Sequence, residues 1–330
     1  LKIAVTAMPG TNAEPFRILV VRLGAMGDVI HALPAVASLK HSFPRSRVSW
    51  AIRPRWIPLI EQNPFVDEII PLERSVTGIR AAWKRLRAGR FDLAVDFQGL
   101  VQSALVAAAA HADKIAGFHR SQAWERWASL FYSSEVITRS AHIVDRNLEL
   151  IAAAGASSIV RMFPLPPGTP EGRLPDGKFV LASPLAGWRS KEWPLERYQE
   201  VAASLGLPLV VNGPPSAAET LKQIRGARVH LSGIAGLIDA TRRAHAVIGV
   251  DSGPMHLAAA LAKPGVAIFG PTDPARNGPY GGSLRVLRSA TATTTYKRNA
   301  GDEDMRAITA EAVASELLAA LEARSAGCPA

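Results

Sequence analysis

The sequence predicts an α/β protein built as two Rossmann-like, doubly wound domains that face each other across a cleft. Three observations carry that expectation. The chain has 330 residues, more than one ordinary core holds and about what two domains of roughly 150 residues need. Short β-branched or apolar runs alternate with longer stretches of helical periodicity, the pattern of a parallel sheet covered by helices. The alternation occurs twice, and the two series are separated by a stretch that suits neither element.

In the first series the expected strands are Arg17–Arg22, Arg47–Ala51, Glu68–Pro71, Leu93–Asp96 and Lys114–Gly117. Between the first two, Asp28 to His41 reads as a helix with Val29, Leu33, Val36 and Leu39 on one face. The run Phe163, Pro164, Pro166, Pro167, Gly168, Pro170 to Pro175 cannot sustain a helix or an interior strand. Residues 166–175 are therefore the linker, 1–165 the first domain and 176–330 the second. The second series gives strands Phe179–Ser183, Pro208–Asn212, Val229–Leu231, Ala246–Val250 and Gly265–Phe269. Its helices are Leu195–Leu205, Ala217–Gly226, Ile234–Ala244 and Met255–Ala262. A last amphipathic helix, Thr309 to Ala323, is expected to pack back onto the first domain.

The composition is that of an ordinary soluble protein, with 48% hydrophobic and 20% charged residues. No apolar run approaches the roughly 18 residues of a membrane span. Residues 1–16 lack a basic start followed by a long apolar core, so no signal peptide is read. The single cysteine, Cys328, excludes an intramolecular disulfide, and a cytoplasmic protein is expected. The net charge of +10 falls mainly on residues 1–165, where 20 basic residues face 13 acidic ones. Such a surplus attracts nucleic acid, anionic lipid or a phosphorylated substrate, or simply solvates a surface. The basic helix around residues 74–90 has Trp83 alone among its arginines and lysines, without the interleaved aromatics of nucleic-acid binding.

In doubly wound sheets ligands bind at the carboxyl ends of the strands, so the loops after strands carry the chemistry. The first is Arg22-Leu-Gly-Ala-Met-Gly-Asp28, where Gly24 and Gly27 permit a tight turn into a helix start suited to an anion. Asp28 reads either as the N-cap of that helix or as a catalytic carboxylate. In the second half Asp251-Ser-Gly-Pro-Met-His256 describes a helix N-terminus with unpaired amides, able to hold phosphate without a metal. His256 lies one turn on and is a pocket residue or a core histidine. Ala186-Gly-Trp-Arg189-Ser-Lys191-Glu-Trp-Pro offers two cations to a diphosphate, or to solvent. Gly270-Pro-Thr-Asp-Pro274 and Asn212-Gly-Pro-Pro, followed by Glu219, are further strand-end loops. A carboxylate in one domain facing phosphate-binding loops in the other suits an inverting sugar-nucleotide transferase, whose base deprotonates the acceptor while cations and dipoles stabilise the leaving diphosphate. The Gly spacing is not the G-x-G-x-x-G of a dinucleotide enzyme.

Four segments together resemble glycosyltransferase family 9, the ADP-heptose–lipopolysaccharide heptosyltransferases. They are Gly-Ala-Met-Gly-Asp28-Val-Ile-His-Ala-Leu-Pro, Asp92-Leu-Ala-Val-Asp-Phe-Gln98-Gly-Leu, Trp188-Arg-Ser-Lys191-Glu-Trp-Pro and Gly249-Val-Asp251-Ser-Gly-Pro-Met-His256-Leu-Ala-Ala. The resemblance spans Arg17 to Ala320. The stretch Gly117-Phe-His-Arg120…Trp127-Ala-Ser-Leu-Phe-Tyr132…His142-Ile-Val-Asp-Arg-Asn looks like heptosyltransferase I, which adds the first heptose to Kdo on lipid A; heptosyltransferase II, or a transferase with another donor or acceptor, is the alternative. The resemblance implies a GT-B fold, inverting transfer from ADP-heptose, no obligatory metal or cofactor, a Kdo–lipid A acceptor and no nucleic acid as partner. It further implies a monomer peripheral to the inner face of the cytoplasmic membrane.

Carried over, Asp28 matches the general base. Lys191, Asp251, Ser252, Gly253 and His256 match the donor-binding positions, with Glu219 on a neighbouring loop. Gly27, Arg80, Lys84 and Arg120 fall on the acceptor side, within or near the basic run Arg74, Arg80, Lys84, Arg85, Arg87 and Arg90. Three places depart from the family pattern: residues 1–16 have no counterpart, Ala186 and Gly187 stand before Lys191 where some members carry hydroxyl residues, and Thr291–Asp304 is unusually polar.

Overall fold

The computed structural model describes residues 15–297 and 301–325. The expectations for residues 1–14 and for Cys328, and the middle of Thr291–Asp304, lie outside the described residues. In chain order the first half contains β1 (Arg17–Val21), α1 (Met26–Ser42), β2 (Arg47–Ile52), β3 (Glu68–Pro71), α2 (Val76–Ala88), β4 (Leu93–Asp96), α3 (Val101–Ala109), β5 (Lys114–Phe118), β6 (Ser134–Val136) and α4 (Ile143–Ala154). The second half contains β7 (Val180–Ser183), α5 (Leu195–Ser204), β8 (Leu209–Gly213), α6 (Ala218–Leu221), β9 (Arg228–Leu231), α7 (Ile234–Arg243), β10 (Ala246–Val250), α8 (Gly253–Ala260), β11 (Gly265–Phe269), α9 (Pro274–Asn277), β12 (Leu284–Arg288), α10 (Glu303–Arg306) and α11 (Ala310–Ser325).

The strands form two six-stranded sheets, β3-β2-β1-β4-β5-β6 and β12-β11-β10-β7-β8-β9. Every pairing within them is parallel. Numbered within its own half, each sheet runs 3-2-1-4-5-6, the doubly wound order, with its crevice between the first and fourth strands. Central strands such as β10 are buried along their whole length, as strands covered on both faces must be. This is the two-domain α/β fold that the sequence predicts.

The departures sit at the edges. The terminal strands β6 and β12 pair on one side only. Ser-Glu-Val and Leu-Arg-Val-Leu-Arg carry too little apolar signal to be read beforehand. The expected helix Ala217–Gly226 shortens to α6, because Gln223 and Ile224 donate to the carbonyls three residues back and the helix unwinds into turns. The last helix does not return to the first domain. Val313 and Leu317 of α11 pack with Val250, Val266 and Ile268 of the second sheet, where an otherwise bare face needs cover. Within the expected linker, Glu171 accepts hydrogen bonds from the amides of Gly233 and Gly236 at the start of α7, which fixes the segment against the second domain.

The two halves also share a core. α1 is buried nearly all round because it lies between the first sheet, α4 and α8 of the second domain. Val29, Leu33 and Trp50 belong to the same apolar cluster as Ile238, Met255 and Leu257.

Candidate active site

Each sheet brings two loops to its crevice, and these four loops hold most of the predicted residues. β1 turns into α1 through Arg22–Ala25, where Gly24 has φ 144° and any side chain would run into the Trp56 indole. Asp28 is the third residue of α1, not its N-cap. Its Oδ2 accepts a hydrogen bond from the Ala25 amide at 3.0 Å, as the third position of a capping box does. Its Oδ1 pairs at 2.6 Å with the buried Arg22 guanidinium, which also donates to the Phe97 carbonyl. The Asp28 side chain stays 35% exposed, so both oxygens are oriented while the group faces the cleft.

The second loop of this crevice follows β4. Asp96 is fully buried and accepts from Tyr132 Oη (2.7 Å), Ser103 Oγ (2.8 Å) and the Gln98 amide (2.8 Å). Burial raises its pKa, and these hydrogen bonds work against the rise. Asp96 thereby shapes the turn that aims Gln98, whose Oε1 accepts from the Leu23 amide at 2.8 Å. The sequence marked this segment without singling out Gln98.

On the second domain, the loop after β7 carries Lys191, with Nζ 2.6 Å from Asp251 Oδ2 and 4.4 Å from the Trp188 ring centroid. Asp251 immediately follows β10 and also accepts from Thr272 Oγ1 at 2.6 Å, while His256 Nε2 lies 3.7 Å from its Oδ1. Burial alone would raise the Asp251 pKa, but the His256 ring and the Lys191 charge hold it well below the usual carboxylate range. Ser252 precedes α8 without capping it, and its buried hydroxyl has no partner among the described residues. That hydroxyl and the Gly253 amide face an anion site at the start of α8, where Pro254 has no N–H and the Met255 and His256 amides already donate to the Ser252 carbonyl.

The starts of α1 and α8 abut across the domain boundary. A Cβ on Gly27 would meet the His256 ring at 2.5 Å, and one on Gly253 would meet the Met26 side chain at 2.6 Å. His31 Nε2 and His256 Nδ1 are 3.1 Å apart. Gly27, expected to touch an acceptor, instead makes room for the opposite domain, and Gly253 does the same in return. His256 is a buried histidine at the domain boundary, at 7% exposure.

Other predicted residues are not gathered here. Glu219 is 85% exposed and pairs with Lys222. Arg120 is 66% exposed and pairs with Glu135. Arg80 and Lys84 lie on the outer side of α2 rather than in a cavity. The cations that do line a cavity beside Asp28 are Arg53, Arg55 and Arg74, together with Gly24, Trp56 and Gln98, around a volume of about 630 Å³. Burial, then the charge of Arg74, lowers the Arg53 pKa. Of these three cations the sequence indicated Arg74 alone. Arg53 and Arg55 follow β2, a strand end whose loop carries no glycine signal, so only the sheet order reveals them. A narrower cavity on the other side of Asp28 is lined by Arg22, Gln122, Trp124, Arg146 and Arg276. Arg276 comes from the second domain and stacks 5.0 Å from the Trp124 ring of the first.

Comparison with known proteins points the same way. The glycosyltransferase family 9 (heptosyltransferase) profile matches residues 79–304. Lipopolysaccharide heptosyltransferase 1 of Pseudomonas aeruginosa is 30% identical over 313 residues, 83% of this chain and 84% of its own. The protein of the same name from Escherichia coli K12 is 29% identical over 311 residues, 83% of this chain and 93% of its own. The solved structure of E. coli heptosyltransferase WaaC with ADP superposes with a TM-score of 0.77 at 26% identity, covering 92% of this chain and all of that one.

Proposed function

Because the chain belongs to glycosyltransferase family 9, the heptosyltransferases, we propose that it transfers heptose from ADP-heptose to the Kdo residue of lipid A, with inversion at the anomeric carbon. One observation carries the reading. An oriented carboxylate, Asp28, stands at the crevice of one sheet, while Lys191, the Ser252 hydroxyl and the Gly253 amide at the start of α8 stand at the crevice of the other. In the proposed step Asp28 takes the proton of the acceptor hydroxyl as its oxygen attacks C1 of the heptose. The bond from C1 to the diphosphate oxygen breaks, and ADP leaves with the electron pair. Lys191, the Gly253 amide and the positive end of α8 stabilise the charge that develops on the diphosphate, so the reading assigns no metal to the transfer. Asp251 holds Lys191 in position.

Arg53, Arg55 and Arg74, at the mouth of the cavity beside Asp28, suit an acceptor bearing carboxylates and phosphates. The names of the relatives support a lipopolysaccharide acceptor. A lipid-linked acceptor also calls for peripheral contact with an anionic membrane surface at the inner leaflet, and none of the described helices is long and apolar enough to cross one.

The test is ADP release from ADP-heptose with Kdo–lipid A as acceptor, with the product identified by mass and with EDTA present. Asp28→Asn is expected to lose at least about a hundredfold in kcat while binding ADP as the parent does. Unchanged turnover in that variant, or transfer that needs a divalent cation, would overturn the assignment. Product formed only on an acceptor already carrying heptose would identify the heptosyltransferase II reaction instead.

A further inference from the structure

The face of the first sheet that turns away from the second domain is covered by α2, α3 and the 3-10 turn Arg126–Phe131, with α3 packed between the other two. The inner sides of these elements pack on the sheet through Ala82, Leu86, Ala107 and Ala128. Their outer sides carry large apolar side chains left in solvent: Val76, Ile79 and Trp83 on α2, Leu105 on α3, and Trp127 and Leu130 on the turn, between 45% and 73% exposed. On α2 the spacing of three, then four, aligns Val76, Ile79 and Trp83 along one stripe. Arg80 and Lys84 run beside it and have no partner among the described residues. Arg126 stacks on Trp127 at 4.5 Å. Exposed apolar patches flanked by cations are uncommon on a monomer surface and mark a docking face.

We propose that this face docks on an anionic phospholipid bilayer, with Trp83, Trp127 and Leu130 entering the headgroup boundary and Arg80 and Lys84 meeting lipid phosphates. Tryptophan suits that boundary because its ring is apolar and its N–H is polar, and basic residues add attraction to an anionic leaflet. The two unpaired cations beside the apolar stripe fit an anionic leaflet and exclude a purely apolar partner surface. The chain also connects this face directly to the reaction centre. Glu73 and Arg74 line the cavity beside Asp28, and Ser75 caps α2 immediately afterwards. A lipid-anchored acceptor could therefore reach the cavity while its acyl chains remain in the bilayer under α2, an extension that rests on the proposed function. The docking itself does not.

The experiment is flotation of the full chain with vesicles of phosphatidylcholine alone or mixed with phosphatidylglycerol. The parent protein is expected to float with the mixed vesicles only. Its tryptophan fluorescence should be quenched there by lipids brominated near the headgroup. The W83S/W127S/L130S variant should lose at least tenfold in partitioning while keeping its melting temperature and its turnover on a deacylated, soluble acceptor. R80E/K84E should lose about 25-fold or more, at roughly fivefold per cation removed from an anionic surface. Absence of quenching in the parent, or equal partitioning of the parent and the apolar variant, would overturn the proposal. So would a concentration-dependent dimer that the apolar variant abolishes, because the face would then be covered by a second copy. Vesicle binding is read without any sugar transfer, so failure of the reaction assignment leaves this result independent.

Discussion

Adding one methyl group at Gly27 tests whether the two crevices are joined as the structure has them. The new Cβ of Gly27→Ala would lie 2.5 Å from the His256 ring, a ring that is buried and held by His31 at 3.1 Å, so it cannot swing aside as a flexible side-chain end would. Overpacking of this kind costs about 1–3 kcal/mol. Alanine in place of glycine within a helix returns about 1 kcal/mol, so the net destabilisation is about 0–2 kcal/mol. The clash disappears when His256 is truncated. In the His256→Ala background Gly27→Ala should therefore stabilise slightly, which makes the coupling between the two positions about 1–3 kcal/mol. At about 2–4 °C per kcal/mol for a chain of this scale, the effect of Gly27→Ala on melting temperature should differ between the two backgrounds by roughly 2–12 °C. Thermal denaturation of the four proteins followed by circular dichroism measures it. Equal shifts in both backgrounds would mean that α1 and α8 do not meet, and the shared floor of the cleft would be wrong.

Three other outcomes are expected. Ser252→Ala should leave the melting temperature of the free protein unchanged or slightly raised, since a buried hydroxyl without a partner is removed. The same variant should weaken ADP binding about three- to tenfold by calorimetry, and unaltered affinity would remove Ser252 from the donor site. His31 is fully buried, and burial, then the neighbouring His256 and His142 rings, lower its pKa well below the histidine value. A group depressed in the folded state contributes its full stability above the unfolded pKa, about 6.5, and that contribution is lost progressively as pH falls below it. Melting temperature should decline on acidification from about pH 6.5, and His31→Asn should make the decline shallower; an identical slope would exclude His31 as a cause. Arg22→Met should lower kcat about tenfold or more with little change in KM, because it frees one oxygen of Asp28 from its 2.6 Å pair, and Arg22→Lys should recover part of the loss. A change confined to KM would show that Arg22 serves binding instead of orienting the carboxylate.

Local pattern in the chain was enough to specify two parallel sheets, because buried central strands are written as short apolar runs and glycine or proline marks where they turn. The same reasoning singled out Asp28, Lys191 and the Asp251–His256 loop as candidates, since a crevice loop must begin within a few residues of a strand end. Partners distant in sequence were not legible that way. Arg22 on Asp28 and Gln98 on Leu23 depend on which strands become neighbours. The His31–His256 contact and the packing of Gly27 on His256 depend on how the domains meet, across more than 220 residues of chain. Charge is a limited guide for a related reason. A basic helix announces its cations but not their direction: Arg80 and Lys84 lie exposed on α2, while Arg53, Arg55 and Arg74 line the cavity. Periodicity along a chain encodes which side chains leave water. Which of them then meet is set by sheet order and domain contact, through packing forces that act between segments no local pattern connects.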